Sequence, residues 1–210
     1  IDTVFLTTLK TIIDTETAAG RRFIIIAGGG KTARRYQDAA AAVARLDAED
    51  LDWIGLHATR LNGHLLRTIF RDEAYRVMIT NPDDILDVPS SERLIIAAGY
   101  RPGSSTDLRA IQIASRIGAK KVINLSNIDY VYTADPRIDE TATPIETINW
   151  ADFRAMIPAE WDPGLSAPFD PVAAREAEAT GMEVAIINGN HESALADYLA
   201  GREFVGTKIS

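Results

Sequence analysis

The sequence predicts an α/β fold, a three-layer α/β/α sandwich with a largely parallel central sheet, on three observations. Short apolar runs recur as Phe23-Ile-Ile-Ile-Ala27, Leu94-Ile-Ile-Ala-Ala98, Lys121-Val-Ile-Asn-Leu125 and Glu183-Val-Ala-Ile-Ile-Asn188, and they read as buried strands. Amphipathic helical patterns lie between them. Strands that alternate with helices need crossover connections, which lay helices over both faces of a parallel sheet. No internal repeat, low-complexity segment or inter-domain linker breaks this order, so a single domain over residues 1–210 is expected.

In chain order, residues 3–19 place Val4, Phe5, Leu6, Leu9, Ile12 and Ile13 among polar residues, the pattern of a helix that Gly20 can end. The strand Phe23–Ala27 runs straight into Gly28-Gly29-Gly30, and Lys31 opens an alanine-rich helix to about Arg45. Strand, glycine loop and helix can place backbone amides and a helix N-terminus around an anion; equally, the glycines can serve tight packing. The spacing matches neither a P-loop nor a dinucleotide fingerprint. Leu51–Phe70 is a second helix. Asp52 at its start is either an acidic residue favoured by the helix N-terminus or an acceptor for sugar hydroxyls. His57 and His64 lie on this helix with no third ligand suggested, so packed or solvated histidines are expected rather than a metal site.

Arg76–Thr80 reads as a short strand and Asn81-Pro-Asp-Asp as a turn. After the strand Leu94–Ala98 comes Gly99-Tyr-Arg-Pro-Gly-Ser-Ser-Thr-Asp107, then an amphipathic helix to Gly118. Ser105, Thr106 and Asp107 can cap that helix, present donors to a ligand, or do both. The strand Lys121–Leu125 gives way to Ser126, Asn127, Asp129, Tyr132, Thr133 and Asp135. A polar loop beyond the carboxyl end of a strand is where open α/β sheets place ligands, and it can also be a set of Asx and Asp-Pro turns. Pro144–Trp150 reads as a short strand entering a helix near 150–156, and Pro158–Pro168 as a loop. Asp170 and Pro171 form an N-cap and first position of a helix. Glu183–Asn188 is a strand, Gly189-Asn190 a turn and 191–200 a helix.

Composition narrows the function. The chain is 46% hydrophobic and 25% charged, as in an ordinary globular protein. Its net charge of −8 argues against a sequence-independent grip on a nucleic acid polymer, while a single phosphate site needs only local donors. With no cysteine there are no disulfides, thiolate metal sites or cysteine nucleophiles. No apolar run approaches the roughly 18 residues of a membrane span and no signal peptide is visible, so a cytoplasmic protein is expected.

The motifs supply the rest. Asn124-Leu-Ser-Asn-Ile-Asp-Tyr-Val-Tyr-Thr-Ala-Asp-Pro136 resembles the "TNVDGVYTADP" segment of the amino acid kinase superfamily, in the form carried by archaeal-type uridylate (UMP) kinases. GGGKTARRY is similar to their "GGGKLARxY". Asp52-Trp-Ile-Gly55 is similar to their Asp-x-Ile-Gly element, and Ala58-Thr-Arg-Leu-Asn62 to "TRLNA", a segment expected to serve helix packing. Phe169–Ala174 resembles "FDPLAAK", with Arg175 at the lysine position, and the segment from Gly201 to Ile209 resembles the family's closing "LKGExxGTxI" strand. The resemblance spans nearly the whole chain. It implies transfer of the ATP γ-phosphoryl group to UMP with Mg2+, an acceptor-binding part over about residues 1–118 and an ATP-binding part over about 119–210. By resemblance Gly29, Asp52 and the loop Tyr100, Arg101, Pro102, Gly103, Ser104, Ser105 and Thr106 hold UMP. Gly30 and Arg34 face the transferring phosphate, Asp107 orients the charges around it, and Ser126, Asn127, Tyr132 and Asp135 hold ATP.

Three departures stand out. The family loop reads "GGTHPGHTTD", so Tyr100 and Arg101 are large changes where the base is expected to be read. Tyr130 replaces the glycine of "VDGVY", where a left-handed backbone would strain a tyrosine and an open one would let its ring narrow the pocket. The chain starts at Ile1, whereas family members begin with a strand and a "GGS" loop for the ATP phosphates; a native protein with that segment is expected. A homo-oligomer, commonly a hexamer in the family, is implied as well. A non-catalytic nucleotide- or oxyanion-binding protein of the same fold, or a kinase for another small acceptor, are the alternatives.

Overall fold

The computed structural model describes residues 1–160, 167–191 and 193–210. The chain divides into two compact units. The first is Leu9–Ile117; the second is Gly118–Ser210 together with Ile1–Thr8. Helix α1 (Thr3–Ala18) has residues in both, and it buries Leu9 and Ile13, one turn apart on one face.

In the first unit, β1 (Phe23–Ile26) and β2 (Leu94–Ala97) pair in parallel, in register from Phe23 with Leu94 to Ile26 with Ala97. Every side chain of β2 is fully buried, as a strand covered on both faces requires. Helix α2 (Gly30–Val43) packs on α3 (Ala48–Ile69), and α3 packs on β2. Helix α4 (Thr106–Arg116) sends Ile113 into a cluster with Ile95, Ala97, Ile79, Ile85 and Val88. Two expectations need correction here. Arg76–Thr80 is not a strand: this part of the chain meets β2 only at single bridges through Ala74 and Ile79, with the intervening Val77 exposed. Asn81–Asp84 is not a simple turn but the start of a 3-10 helix, Pro82–Asp87. The Asn81 side chain caps it by accepting from the Asp83 amide.

In the second unit a four-stranded sheet has the order β3 (Lys121–Ser126), β7 (Glu183–Asn188), β8 (Thr207–Ile209), β6 (Thr147–Ile148). β3/β7 and β6/β8 are parallel and β7/β8 antiparallel. A small antiparallel pair joins β4 (Val131–Tyr132) to β5 (Pro144–Ile145). Helices α5 (Trp150–Met156), α6 (Pro171–Ala179) and α7 (Ala194–Leu199) complete it. Trp150 and Phe153 stack edge-on in the core, and the Trp150 indole donates to the Met182 carbonyl at 2.8 Å. Asp170 caps α6 from the expected position, accepting from the Ala173 amide, with Pro171 next. The closing strand and the helix expected over 191–200 are shorter than their sequence patterns, and Pro144–Trp150 carries two short strands around Glu146. Of the loop expected over Pro158–Pro168, residues 161–166 lie outside the described residues.

Candidate functional site

Helix α3 organises the first unit's candidate site. Asp47 caps it by accepting from the Asp50 amide, so the helix starts earlier than its apolar pattern suggests. Asp52 therefore lies past the first turn, and its position is not explained as a helix-start acid. Its Oδ2 accepts from the Gly103 amide at 2.9 Å, which ties α3 to the 99–107 loop. Further along the helix, Thr59 Oγ1 accepts from the Gly99 amide at 2.8 Å. Arg60 donates to the carbonyls of Gly99 and Tyr100, at 3.3 and 3.1 Å. Asn62 Nδ2 donates to the carbonyls of Gly28 and Gly29, at 2.7 and 3.3 Å. The segment 58–62, expected to serve helix packing, thus holds the backbones of both loops.

The glycine loop reads as packing at one residue and as conformation at the next. A Cβ on Gly29 would lie 2.7 Å from the Ala33 Cβ and 3.2 Å from the Gly55 carbonyl, so only glycine lets α2 approach α3 here. Gly30 opens α2 with φ +57°, the left-handed region that glycine tolerates. The Cβ position of Gly28 faces Thr106 Oγ1 at 4.0 Å, which brings the start of α4 beside the loop. Two helix N-termini, those of α2 and α4, thus open near one another, an arrangement that favours an anion. Ser105 caps α4 through the Leu108 amide, so capping and donor roles share one turn. Asp107 is half-buried in that turn, and Arg34 is exposed on the first turns of α2.

The rest of the acceptor loop is packed from α4. Arg109, which is 6% exposed, donates to Ser104 Oγ and to Gln112 Oε1. Its guanidinium lies 5.4 Å from the centre of the Tyr100 ring, and that of Arg101 lies 5.6 Å from the same ring. Pro102 is half-buried and Gly103 exposed. His57 is exposed and stacks on Trp53, and His64 is exposed.

In the second unit, Ser126 ends β3 opposite Asn188 at the end of β7, so both lie at the carboxyl ends of parallel strands. Asn127 is exposed in the loop that follows. Asp129 gathers this loop: its Oδ1 accepts from Asn188 Nδ2 at 2.6 Å and lies 3.1 Å from His191 Nε2. The Asn188 amide holds the Asp129 carboxyl below its ordinary value, with help from His191. Tyr132 is half-buried on β4, edge-on to Tyr130 at 6.3 Å. The buried Thr207 hydroxyl fixes this hairpin, accepting from the Val131 amide and donating to the Ile145 carbonyl. Tyr130 has no left-handed backbone, so glycine's replacement costs no strain. Asp135 is engaged locally: it accepts from the Arg137 amide and guanidinium, which hold its carboxyl down at about 2. That is the Asx-turn reading of Asp135.

Sequence reasoning passed over Arg109, Asn188 and His191. Arg109 leaves a trace, a lone arginine among the buried residues of α4, which are otherwise Ile111, Ile113 and Ala114. Asn188 and His191 leave none, because they meet Asp129 across 59 and 62 residues of chain.

The amino acid kinase family model matches residues 2–188. The uridylate kinase of Hyperthermus butylicus is 32% identical over 186 residues, covering 89% of this chain and 82% of the relative. That of Methanospirillum hungatei is 32% identical over 197 residues, covering 93% and 83%. The crystal structure of uridylate kinase from Archaeoglobus fulgidus superposes with a TM-score of 0.81 at 26% identity, covering 98% of this chain and 90% of that one. The chain belongs to the amino acid kinase family, and the α/β class expected from the sequence is that of its structural neighbours.

Proposed function

We propose that this protein is a uridylate kinase, an ATP-dependent phosphotransferase that converts UMP and ATP to UDP and ADP. A UMP phosphate oxygen attacks the γ-phosphorus of ATP in line. The bond to the β–γ bridging oxygen breaks, and ADP leaves with its electron pair. The reaction demands positioning and charge stabilisation more than covalent chemistry. The observation that carries the reading is the tie from α3 to both loops of the first unit, through Asp52, Thr59, Arg60 and Asn62, in a chain similar to uridylate kinases over about nine tenths of its length.

In this reading the first unit takes the acceptor. Gly29 and the amides at the start of α4 meet the UMP phosphate, Asp52 accepts from the ribose hydroxyls, and residues Tyr100–Thr106 surround the base. Gly30, Arg34 and Asp107 handle the charge of the transferring group. The second unit takes ATP at Ser126, Asn127 and Tyr132, with Asp135 shaping the loop beneath. Mg2+ arrives as part of the MgATP substrate and screens its phosphates. In this reading the protein is a cytoplasmic homo-oligomer, a hexamer by family resemblance.

A second reading, a kinase for another small phosphate acceptor, is favoured by one observation: the Tyr100 ring, in the loop proposed to surround the base, has the guanidinium groups of Arg101 and Arg109 at 5.6 and 5.4 Å from its centre. ADP release from MgATP, measured with UMP, CMP, AMP, GMP and no acceptor in parallel, separates the readings. Strong preference for UMP supports the first and preference for another acceptor the second. Nucleotide binding without turnover would leave a non-catalytic binding protein.

A further inference from the structure

A buried arginine is expensive unless its charge is met, so Arg109 calls for an explanation. It lies outside the acceptor-loop motif, and the other buried residues of α4 are Ile111, Ile113 and Ala114. Its guanidinium spans two kinds of partner in the loop. One nitrogen donates to Ser104 Oγ, and the cation lies over the Tyr100 ring. Ser104 Oγ in turn donates to the Arg101 carbonyl at 3.4 Å, so the same side chain reaches residues 100 and 104 directly and 101 through one hydroxyl. Helix α3 holds a different set of atoms: the backbone at Gly99, Tyr100 and Gly103.

We propose that Arg109 is the positioning residue of the acceptor loop, setting residues 100–104 in their binding conformation before the acceptor arrives. The proposal rests on the uridylate kinase reading for the identity of that acceptor. A loop ordered in advance spares the ligand the cost of ordering it, so the contribution appears in acceptor affinity rather than in the chemical step. The fork geometry matters too, because a lysine carries the charge but cannot serve a hydroxyl, an amide oxygen and a ring at once.

The test compares R109M, R109K and S104A with the wild-type protein in steady-state kinetics and in amide hydrogen exchange of the ligand-free protein. R109M is expected to raise KM for UMP about tenfold, the scale of a lost charged hydrogen bond, while kcat and KM for ATP stay within about twofold. R109K recovers part of the loss. S104A raises KM for UMP by a smaller factor, and S104A added to R109M costs nothing further, as expected of groups acting through one contact. Exchange at the Gly103 amide accelerates about tenfold in R109M. KM values for UMP and ATP that rise together would assign Arg109 to general stability and overturn the proposal. If R109M does not fold, R109K and S104A carry the comparison. If the wild-type protein does not phosphorylate UMP, the kinase reading fails on its own; unchanged exchange at Gly103 in the variants overturns the role of Arg109 whatever the acceptor.

Discussion

At the residue scale, Asp52 combines two tasks that substitution can separate. Its carboxylate holds the Gly103 amide and, in the proposed function, accepts from the ribose hydroxyls. Asp52→Ala removes both and is expected to raise KM for UMP by about ten- to a hundredfold, the value of one or two charged hydrogen bonds. Asp52→Asn keeps an oxygen for the amide and falls between. An equal rise in KM for ATP would place Asp52 outside the acceptor site. The glycines make a second contrast. Gly29→Ala drives a methyl into Ala33 and the Gly55 carbonyl and should cost about 1–3 kcal/mol in urea unfolding. Gly28→Ala meets nothing closer than Thr106 Oγ1 at 4.0 Å and should cost less than about 1 kcal/mol. Equal losses would contradict the close approach of α2 to α3. Asp135 supplies a pH prediction. Its folded pKa, about 2, lies below the ordinary 3.8, so its pairing with Arg137 contributes fully above about pH 4 and is lost as pH falls through 2. A carboxyl titration by NMR should find that midpoint, and Arg137→Ala should return it toward 3.8. A midpoint already at the ordinary value in the wild type would remove the pairing.

At the element scale, the depth of burial decided what the sequence could disclose. β2 and β7 are legible because every side chain, or nearly every one, goes into the core, leaving an unbroken apolar run. Arg76–Thr80 has a similar composition, yet it touches β2 only through Ala74 and Ile79, and composition does not report how many backbone groups pair. Caps were legible where they are local, as at Ser105 and Asp170. The apolar pattern puts Asp52 too near a helix start, because Asp47, before that pattern begins, is the true cap. The candidate site divides in the same way. Its glycine and hydroxyl loops can be read along the chain, whereas the side chains that hold them, Asn62 on Gly28 and Asn188 on Asp129, act across 34 and 59 residues. One cap offers a check on α6. The buried Asp170 accepts from the Ala173 amide, and Asp170→Ala should lower stability by about 1–2 kcal/mol with the denaturant slope unchanged. No loss would mean that α6 does not depend on this cap.

For the whole molecule, the loops of the first unit are tied to α3, and the polar loop of the second lies beyond β3 and β7. The proposed reaction moves the γ-phosphoryl group of ATP to UMP. The most direct measurement follows that group, incubating the protein with UMP and γ-labelled MgATP and locating the label among the products. The label is expected in the β-phosphate of UDP, with one ADP formed for each UDP and no transfer once EDTA removes the divalent ion. Label that appears only as inorganic phosphate, or in another monophosphate in preference to UMP, would contradict the claim.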